Sequence, residues 1–159
     1  MPDMLVKLYD LPDGRAELAA LEEQGIRIVR AMTADKGRLS EFVGKHFTEN
    51  WRSECECAFG RLPSFAFIAV RNKEIVGFAL YDAIVRNFFG PTGVAPACRG
   101  LGIGKALLLE TLRAMHEEGY AYAIIGWVEE AIGFYAKTVG ATVIPDSFPG
   151  AYRNLVALN

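Results

Sequence analysis

Three glycines at alternate positions, Gly100, Gly102 and Gly104, stand between a strand-like run and the strongest helical pattern of the chain. Glycine lets a backbone turn tightly and lie close to a ligand, because no side chain is in the way. The helix predicted over residues 103–118 offers unpaired N–H groups in its first turn and the positive end of its dipole. Together these features predict an anion-binding loop, and a diphosphate suits such a loop.

Two common phosphate-binding patterns do not fit this loop. The nucleoside triphosphate pattern Gly-x4-Gly-Lys-Ser/Thr, aligned on Gly104 and Lys105, needs a glycine where Arg99 stands and a hydroxyl where Ala106 stands. The dinucleotide pattern Gly-x-Gly-x-x-Gly needs its third glycine where Lys105 stands. Its ribose-binding acid, due about 20 residues later, would fall in the uncharged run 123–127. The sequence therefore argues against both types of nucleotide site.

The composition is that of an ordinary globular domain. The 159 residues are 52% hydrophobic and 23% charged, which argues against disorder and leaves room for one domain. Seventeen Lys and Arg against 19 Asp and Glu give a net charge of −2, so the charge balance predicts neither a nucleic acid nor an anionic membrane as partner. Two distant histidines predict no metal site.

Membrane insertion and secretion are also not expected. The longest uncharged stretch, residues 87–98, is too short for a membrane-spanning helix and is interrupted by Gly and Pro. The first 25 residues contain several acids and no long apolar run, unlike a secretory signal. Three cysteines without a Cys-x-x-Cys pair suggest a reducing compartment, so we expect a cytoplasmic protein.

Hydrophobic periodicity and turn residues predict a mixed sheet flanked by helices. Thr33 and Thr48 are predicted N-caps, and Trp51 and Cys55 share a helical stripe that favours the core, with a place in a ligand pocket as the alternative for Trp51. Strands are predicted at 5–9, 26–29, 64–70, 74–81, 88–95, 120–128, 142–144 and 154–158, and helices at 13–22, 33–47, 48–59, 103–118 and 129–138.

Two motifs resemble those of a known family. The loop reads Arg-x-x-Gly-x-Gly from Arg99 to Gly104, after Val94-x-Pro96, and resembles the acyl-CoA-binding motif of the GNAT superfamily of N-acetyltransferases. A second block, Ala131-x-x-Phe-Tyr-x-Lys-x-x-Gly140, is similar to the family's motif on the helix after the next strand. The resemblance covers about residues 26–158. It implies an N-acetyltransferase domain at 26–159 and an N-terminal extension, residues 1–25, packed on it.

The resemblance also implies the fold and the site. The fold would be α/β (α+β), a single domain with a mixed sheet of about seven strands, flanked by helices and splayed at the central strands. Acetyl-CoA would be the co-substrate, its pantetheine arm on the opened strand edge at Val94 and its diphosphate on the backbone of 99–105. Tyr135 would be the general acid that protonates the departing thiolate. The implied cofactor-binding residues are Val94, Arg99, Gly100, Leu101, Gly102, Ile103, Gly104, Lys105 and Phe134, of which Arg99 and Lys105 add positive charge.

The sequence departs from the family pattern at two places. The second block often begins with Asn where Val128 stands, which removes one side-chain contact. Residues 87–93 contain no Glu, Asp or His, although some members carry their general base on that strand. Deprotonation of the amine could run through water to one of several other groups, and the choice stays open among Glu49, Glu54, Asp82 and His46.

The acceptor is expected to bind between the first two helices and a late loop, as the family resemblance implies. Here these are residues 47–59 and 146–152, which contain aromatic side chains, acids and hydroxyls. Acids suit a cationic amine, and aromatic rings can stack on a sugar. The loop, with Ile125-Gly-Trp, resembles a subgroup associated with amino-sugar acetylation. We therefore expect an enzyme that acetylates the primary amine of a small molecule, with a peptide or protein amine, or a non-catalytic acyl-CoA sensor, as alternatives. The sequence leaves both a monomer and a homodimer open.

Overall fold

The computed structural model describes residues 1–159 and contains one seven-stranded sheet with helices packed against it. The strands are β1 (Asp3–Lys7), β2 (Ile26–Arg30), β3 (Ala66–Arg71), β4 (Glu74–Tyr81), β5 (Phe88–Val94), β6 (Tyr122–Ile125) and β7 (Thr142–Ile144). The helices are α1 (Arg15–Glu23), α2 (Lys36–His46), α3 (Glu49–Cys57), α4 (Ile103–Glu117) and α5 (Ile132–Val139). The strand order is β2-β3-β4-β5-β6-β1-β7, and the predicted mixed α/β fold is confirmed.

The centre of the sheet is splayed, as expected. The strands β5 and β6 are the one parallel pair, and they pair only at Phe88 with Ile124 and Phe89 with Ile125. Beyond Phe89, β5 continues to Val94 while β6 ends at Ile125. The edge of β5 that faces β6 is therefore unpaired from Gly90 onward, and a V-shaped opening forms between the two strands.

Helices cover both faces of the sheet. Helix α4 is buried along one side, where Leu107, Leu112 and Met115 belong to the main core. Helices α2 and α3 lie over the other face, where Cys55 is buried in a second apolar cluster. Thr48 caps α3 by accepting a hydrogen bond from the Trp51 backbone N–H at 3.2 Å, as predicted. No helix has both the length and the apolar character that a bilayer crossing requires.

The two ends of the chain differ from the sequence-based expectations. Residues 154–158 do not form a strand; the segment ends in a 3-10 turn, Val156–Leu158, with Val156 88% exposed. The segment follows the turn Gly150–Tyr152, which packs on Trp127, and it does not pair with the free outer edge of β7. Residues 3–7, expected in an extension packed on the domain, instead form β1 inside the sheet between β6 and β7.

Several boundaries also shift by a few residues. Thr33 lies in a 3-10 turn, and α2 begins at Lys36. The long apolar run predicted as one strand over 120–128 supplies only the four residues of β6. Helix α5 begins at Ile132 rather than at residue 129. The residues between β6 and α5 are consequently free to line the opening beside β5.

Candidate active site

Two adjoining cavities lie in the opening between β5 and β6. The larger has a volume of about 740 Å³, lies over the start of α4 and is called the glycine-loop cavity. The smaller has a volume of about 370 Å³, lies beyond the end of β6 around Trp127 and is called the tryptophan cavity. Both volumes fall within the range of small-molecule sites, roughly 300–1,000 Å³. The residues that line both cavities are Trp51, Thr92, Glu130, Ala131 and Tyr135.

The loop before α4 has the geometry of an anion cradle. Gly100 and Gly102 adopt left-handed backbone angles, with φ of +83° and +89°, which side chains rarely tolerate. Gly102 is the N-cap and has no side chain to satisfy the first N–H groups of α4. The N–H groups of 103–105 have no partner within the helix. These donors and the helix dipole lie at the wall of the glycine-loop cavity.

Nearly all the residues expected to bind the cofactor meet at this cavity. Leu101 is the exception, since its half-buried side chain packs against the main core and it does not line the cavity. The others line the cavity together with Tyr135: Val94, Arg99, Gly100, Gly102, Ile103, Gly104, Lys105 and Phe134.

The two basic side chains of the loop already have partners. The Arg99 Nε donates to the backbone oxygen of Val94 at 3.3 Å, which joins the loop to the end of β5. The Lys105 Nζ lies 2.9 Å from Glu17 Oε1 of α1. The Lys105 ammonium group, through its hydrogen bond, holds the pKa of the Glu17 carboxyl below its usual range. Main-chain N–H groups are therefore the donors of this loop that remain free.

Tyr135 lies at the junction of the two cavities. Its side chain is on α5, packs against Phe134 and Phe89, and the residue is 8% exposed. The phenol oxygen forms no hydrogen bond with the protein. Burial raises the pKa of Tyr135 to about 12, so the phenol keeps its proton through neutral pH. An unpartnered hydroxyl at this position can donate to a ligand atom that spans the two cavities.

Trp127 lines the tryptophan cavity, and aromatic residues from the loop 146–152, which do not line it, pack against its ring. Trp127 stacks on Tyr152 with a centroid distance of 4.3 Å and lies 5.7 Å from Phe148. The indole Nε1 of Trp127 is buried and has no hydrogen-bond partner. Gly126 is required beside it, since a Cβ there would collide with the Tyr152 hydroxyl. The C-terminal turn is thereby held against the end of β6.

A buried aspartate at the start of the chain orients this aromatic group. The Asp3 Oδ1 accepts a hydrogen bond from the Trp127 backbone N–H at 3.1 Å, and the Asp3 N–H donates to Ser147 Oγ at 2.8 Å. Trp127 itself has a positive φ of 51°. No local sequence pattern indicates this role of Asp3, because its partners are more than a hundred residues away.

Trp51 contributes to both the core and the site. Its ring lies 5.2 Å from that of Phe47 and 6.2 Å from that of Phe78, yet it lines both cavities. Phe47 in turn packs against Gly93, where any Cβ would collide with the ring. Trp51 therefore packs on the core, as expected, and also borders both cavities; its role in an acceptor pocket stays a prediction.

The four candidate bases have different surroundings. Asp82 accepts hydrogen bonds from the Asn87 N–H at 2.7 Å and the Tyr120 hydroxyl at 2.6 Å, so it anchors a loop. His46 stacks on Phe42 away from both cavities. Glu49 has a side chain that is 78% exposed. Glu54 is half-buried; it is the one acid of the four candidates that is buried without a hydrogen bond or ion pair, and burial raises its pKa to about 7.

The described side chains include no group of three or more His, Cys, Asp or Glu residues that could hold a metal ion.

Comparison with known proteins agrees with this geometry. The sequence model described as the acetyltransferase (GNAT) family matches residues 30–141. No curated protein sequence matches the chain significantly. Among solved structures, a glucosamine N-acetyltransferase region of a fungal multi-domain β-N-acetylglucosaminidase has a TM-score of 0.73 at 18% identity, covering 90% of this chain and 19% of that one.

Two further structures share the fold. A GCN5-related N-acetyltransferase from Sphaerobacter thermophilus has a TM-score of 0.67 at 21% identity, covering 90% of this chain and 48% of that one. An aminoglycoside acetyltransferase from an uncultured soil metagenomic sample, in complex with sisomicin, has a TM-score of 0.51 at 17% identity. The match covers 73% of this chain and 88% of that one. The chain thus spans half or less of the length of the first two.

Proposed function

Because the chain belongs to the GNAT acetyltransferase family, we propose that it transfers an acetyl group from acetyl-CoA to the primary amine of a small molecule, with an amino sugar as the acceptor class. One observation carries this proposal: the free hydroxyl of Tyr135 lies where a cavity with an anion cradle meets a cavity with aromatic walls. Such a group can act on the sulfur of a thioester that reaches the junction from the glycine loop.

Acetyl-CoA fits the glycine-loop cavity for two independent reasons. The free N–H groups of residues 103–105 suit a diphosphate, which is a ligand of helix N-termini. The unpaired edge of β5 from Gly90 to Val94 suits the amide groups of a pantetheine arm, which can form strand-like hydrogen bonds. A ligand bound along both features would direct its thioester toward Tyr135.

The tryptophan cavity suits a small hydroxylated amine. The ring of Trp127 lines the cavity and can stack on a sugar ring. Glu129 and Glu130 line the cavity and attract a cationic amine. The cavity volume, about 370 Å³, favours a compact acceptor over a long peptide. The glucosamine and aminoglycoside acceptors named for two structural neighbours are amino sugars as well.

The chemistry needs no covalent enzyme intermediate. A neutral amine attacks the thioester carbonyl, the C–N bond forms, and the C–S bond breaks as the thiolate leaves. Tyr135 donates its proton to the sulfur, and a positioned general acid contributes about 10²–10⁴ in rate. Backbone N–H groups on the free edge of β5 can face the oxyanion, and a donor of this kind is worth about 3 kcal/mol.

The test is CoA release from acetyl-CoA with a panel of glucosamine, polyamines, amino acids and short peptides. We expect the amino sugar to give the highest kcat/KM. If a peptide gives the highest kcat/KM instead, the acceptor is a peptide amine and not a small molecule. If no amine exceeds the buffer rate while acetyl-CoA still raises the melting temperature, the protein is an acyl-CoA sensor. Ligand at 100 times its dissociation constant adds about 2.7 kcal/mol of stability.

A further inference from the structure

Glu54 lies on the face of α3 that borders the site. It follows Trp51 by three residues, and side chains at that spacing are neighbours on a helix. Trp51 lines both cavities, so this face of α3 is directed at the opening between β5 and β6. Glu54 is half-buried, and its carboxylate forms no hydrogen bond and no ion pair. A carboxylate in such a position is costly to keep without a partner.

The C-terminal turn connects Glu54 with the tryptophan cavity. Burial, then the negative charges of Glu54 and Asp3, raise the pKa of Tyr152, so the Glu54 carboxylate lies near the Tyr152 phenol. Tyr152 stacks on Trp127 and packs over Gly126, both of which line the cavity. Glu54 itself lines neither cavity; it lies one helical turn beyond Trp51, which lines both, so a proton from the tryptophan cavity would reach its carboxylate through a water molecule.

We propose that the Glu54 carboxylate accepts, through a bridging water molecule, the proton from the ammonium group of the acceptor. This inference rests on the proposed acetyl transfer, which requires a neutral amine. Strand β5 has no side chain that could serve, since residues 88–94 contain neither an acid nor a histidine. The other three candidates lie elsewhere or are already bonded, as described above.

The proton balance of the reaction is complete with these two residues. The ammonium N–H gives one proton to Glu54, and the nitrogen lone pair then forms the C–N bond. The C–S bond breaks, and the Tyr135 hydroxyl gives its proton to the leaving sulfur. The second proton on the attacking nitrogen returns through water to the Tyr135 oxygen, and Glu54 releases its proton to solvent. The products are the amide, CoA and one proton.

The surroundings of Glu54 suit this role at neutral pH. Burial raises its pKa to about 7, which is near the best value for a base in neutral solution. The charged groups nearby do not neutralise it. On its own helix, Arg52 donates to Ser40 Oγ at 2.9 Å and lies 3.9 Å from Glu49. The Tyr152 phenol of the C-terminal turn feels the charge of Glu54. The titratable groups of the tryptophan cavity are Glu129, Glu130 and Tyr135.

The test compares Glu54→Gln with Glu49→Gln, an acid on the same helix that is exposed. Wild-type kcat/KM for the best amine should fall as the pH drops below about 7, because the base becomes protonated. In Glu54→Gln, this pH dependence should disappear, and kcat/KM at pH 7 should be about 10²–10⁴ lower than in wild type. Glu54→Asp should keep the pH dependence with a lower kcat/KM. Glu49→Gln should match wild type, and the acetyl-CoA dissociation constant should be unchanged in all three.

Two results would overturn the inference. If Glu54→Gln keeps the wild-type pH profile while Tyr135→Phe slows turnover, Glu54 is not the proton acceptor and acetyl transfer stands. If the wild type acetylates no amine, both proposals fail together. Misfolding is checked by the acetyl-CoA-dependent melting shift, which a folded variant retains. Glu54→Ala gives a second readout, because added formate should restore part of its rate, and no rescue in a folded variant counts against the proposal.

Discussion

The Lys105 ammonium nitrogen lies 2.9 Å from the Glu17 carboxylate, which joins the first turn of α4 to α1. A second link from the N-terminal segment runs from Asp3 to the backbone of Trp127. One link borders the glycine-loop cavity, and the other borders the tryptophan cavity. Residues 1–25, which the motif resemblance does not cover, thus support both parts of the candidate site.

The ion pair leads to a prediction about cofactor affinity. Glu17→Gln frees Lys105 and removes a negative charge near the loop, so CoA should bind up to about fivefold more tightly, since exposed ion pairs are worth ~0.2–1 kcal/mol. Lys105→Ala should then weaken binding more in the Glu17→Gln background than in wild type. Titration calorimetry at low salt measures both effects, with Glu22→Gln on the same helix as the control. Equal effects of Lys105→Ala in the two backgrounds would show that the pair does not compete with the ligand.

The chain offers a matched pair of glycines for testing the loop. Gly104 and Gly133 are each the second residue of a helix, each follows an isoleucine, and neither has a positive φ. Gly104→Leu should abolish the acetyl-CoA-dependent rise in melting temperature, because its side chain enters the cradle. Gly133→Leu should keep that rise, since its position does not line the cavity. Thermal melting with and without acetyl-CoA checks this. A rise in melting temperature as large as that of wild type in Gly104→Leu would exclude the glycine loop as the diphosphate site.

Tyr135→Phe tests the general acid. The change removes only the hydroxyl, so kcat should fall by about 10²–10⁴ while the dissociation constant of acetyl-CoA stays within twofold to threefold. Tyr122→Phe is the control, because that tyrosine is exposed and lies outside both cavities. Steady-state kinetics with the best amine and calorimetric titration with acetyl-CoA give the two numbers. Unchanged kcat in a folded Tyr135→Phe protein would exclude its role as acid.

Gly93→Ala tests the packing that supports the site. The added Cβ would collide with the Phe47 ring, and overpacking of this kind costs about 1–3 kcal/mol of unfolding free energy. Gly37→Ala on α2 meets nothing within 4 Å and should stabilise the helix by up to about 1 kcal/mol. Urea denaturation compares the two variants. If the urea midpoint of Gly93→Ala equals that of wild type, Phe47 can move aside without loss of stability.

Local signals in the sequence were sufficient for the central elements. Three features depend on residues that are close in sequence. They are the glycines before α4, the turn at Asn72-Lys73 between β3 and β4, and the Thr48 cap of α3. The loop motif therefore predicted which residues meet at the glycine-loop cavity, apart from Leu101. Their proposed contacts with CoA remain predictions.

Long-range pairing explains what the sequence did not indicate. Strand β1 joins the sheet between β6 and β7, and its partners are more than a hundred residues away. The apolar run at 154–158 has a strand-like pattern, but it forms a 3-10 turn instead, and the outer edge of β7 stays unpaired. Trp127 enters the site through a left-handed backbone angle that Asp3 helps to hold, and neither feature has a local sequence signature.

The most direct test of the central claim is a crystal structure with bound CoA. We expect diphosphate oxygens about 2.7–3.2 Å from the main-chain nitrogens between residues 100 and 105. The thiol should lie near the Tyr135 hydroxyl. A diphosphate bound elsewhere on the protein, with these nitrogens free, would contradict the assignment of the glycine loop and the function proposed from it.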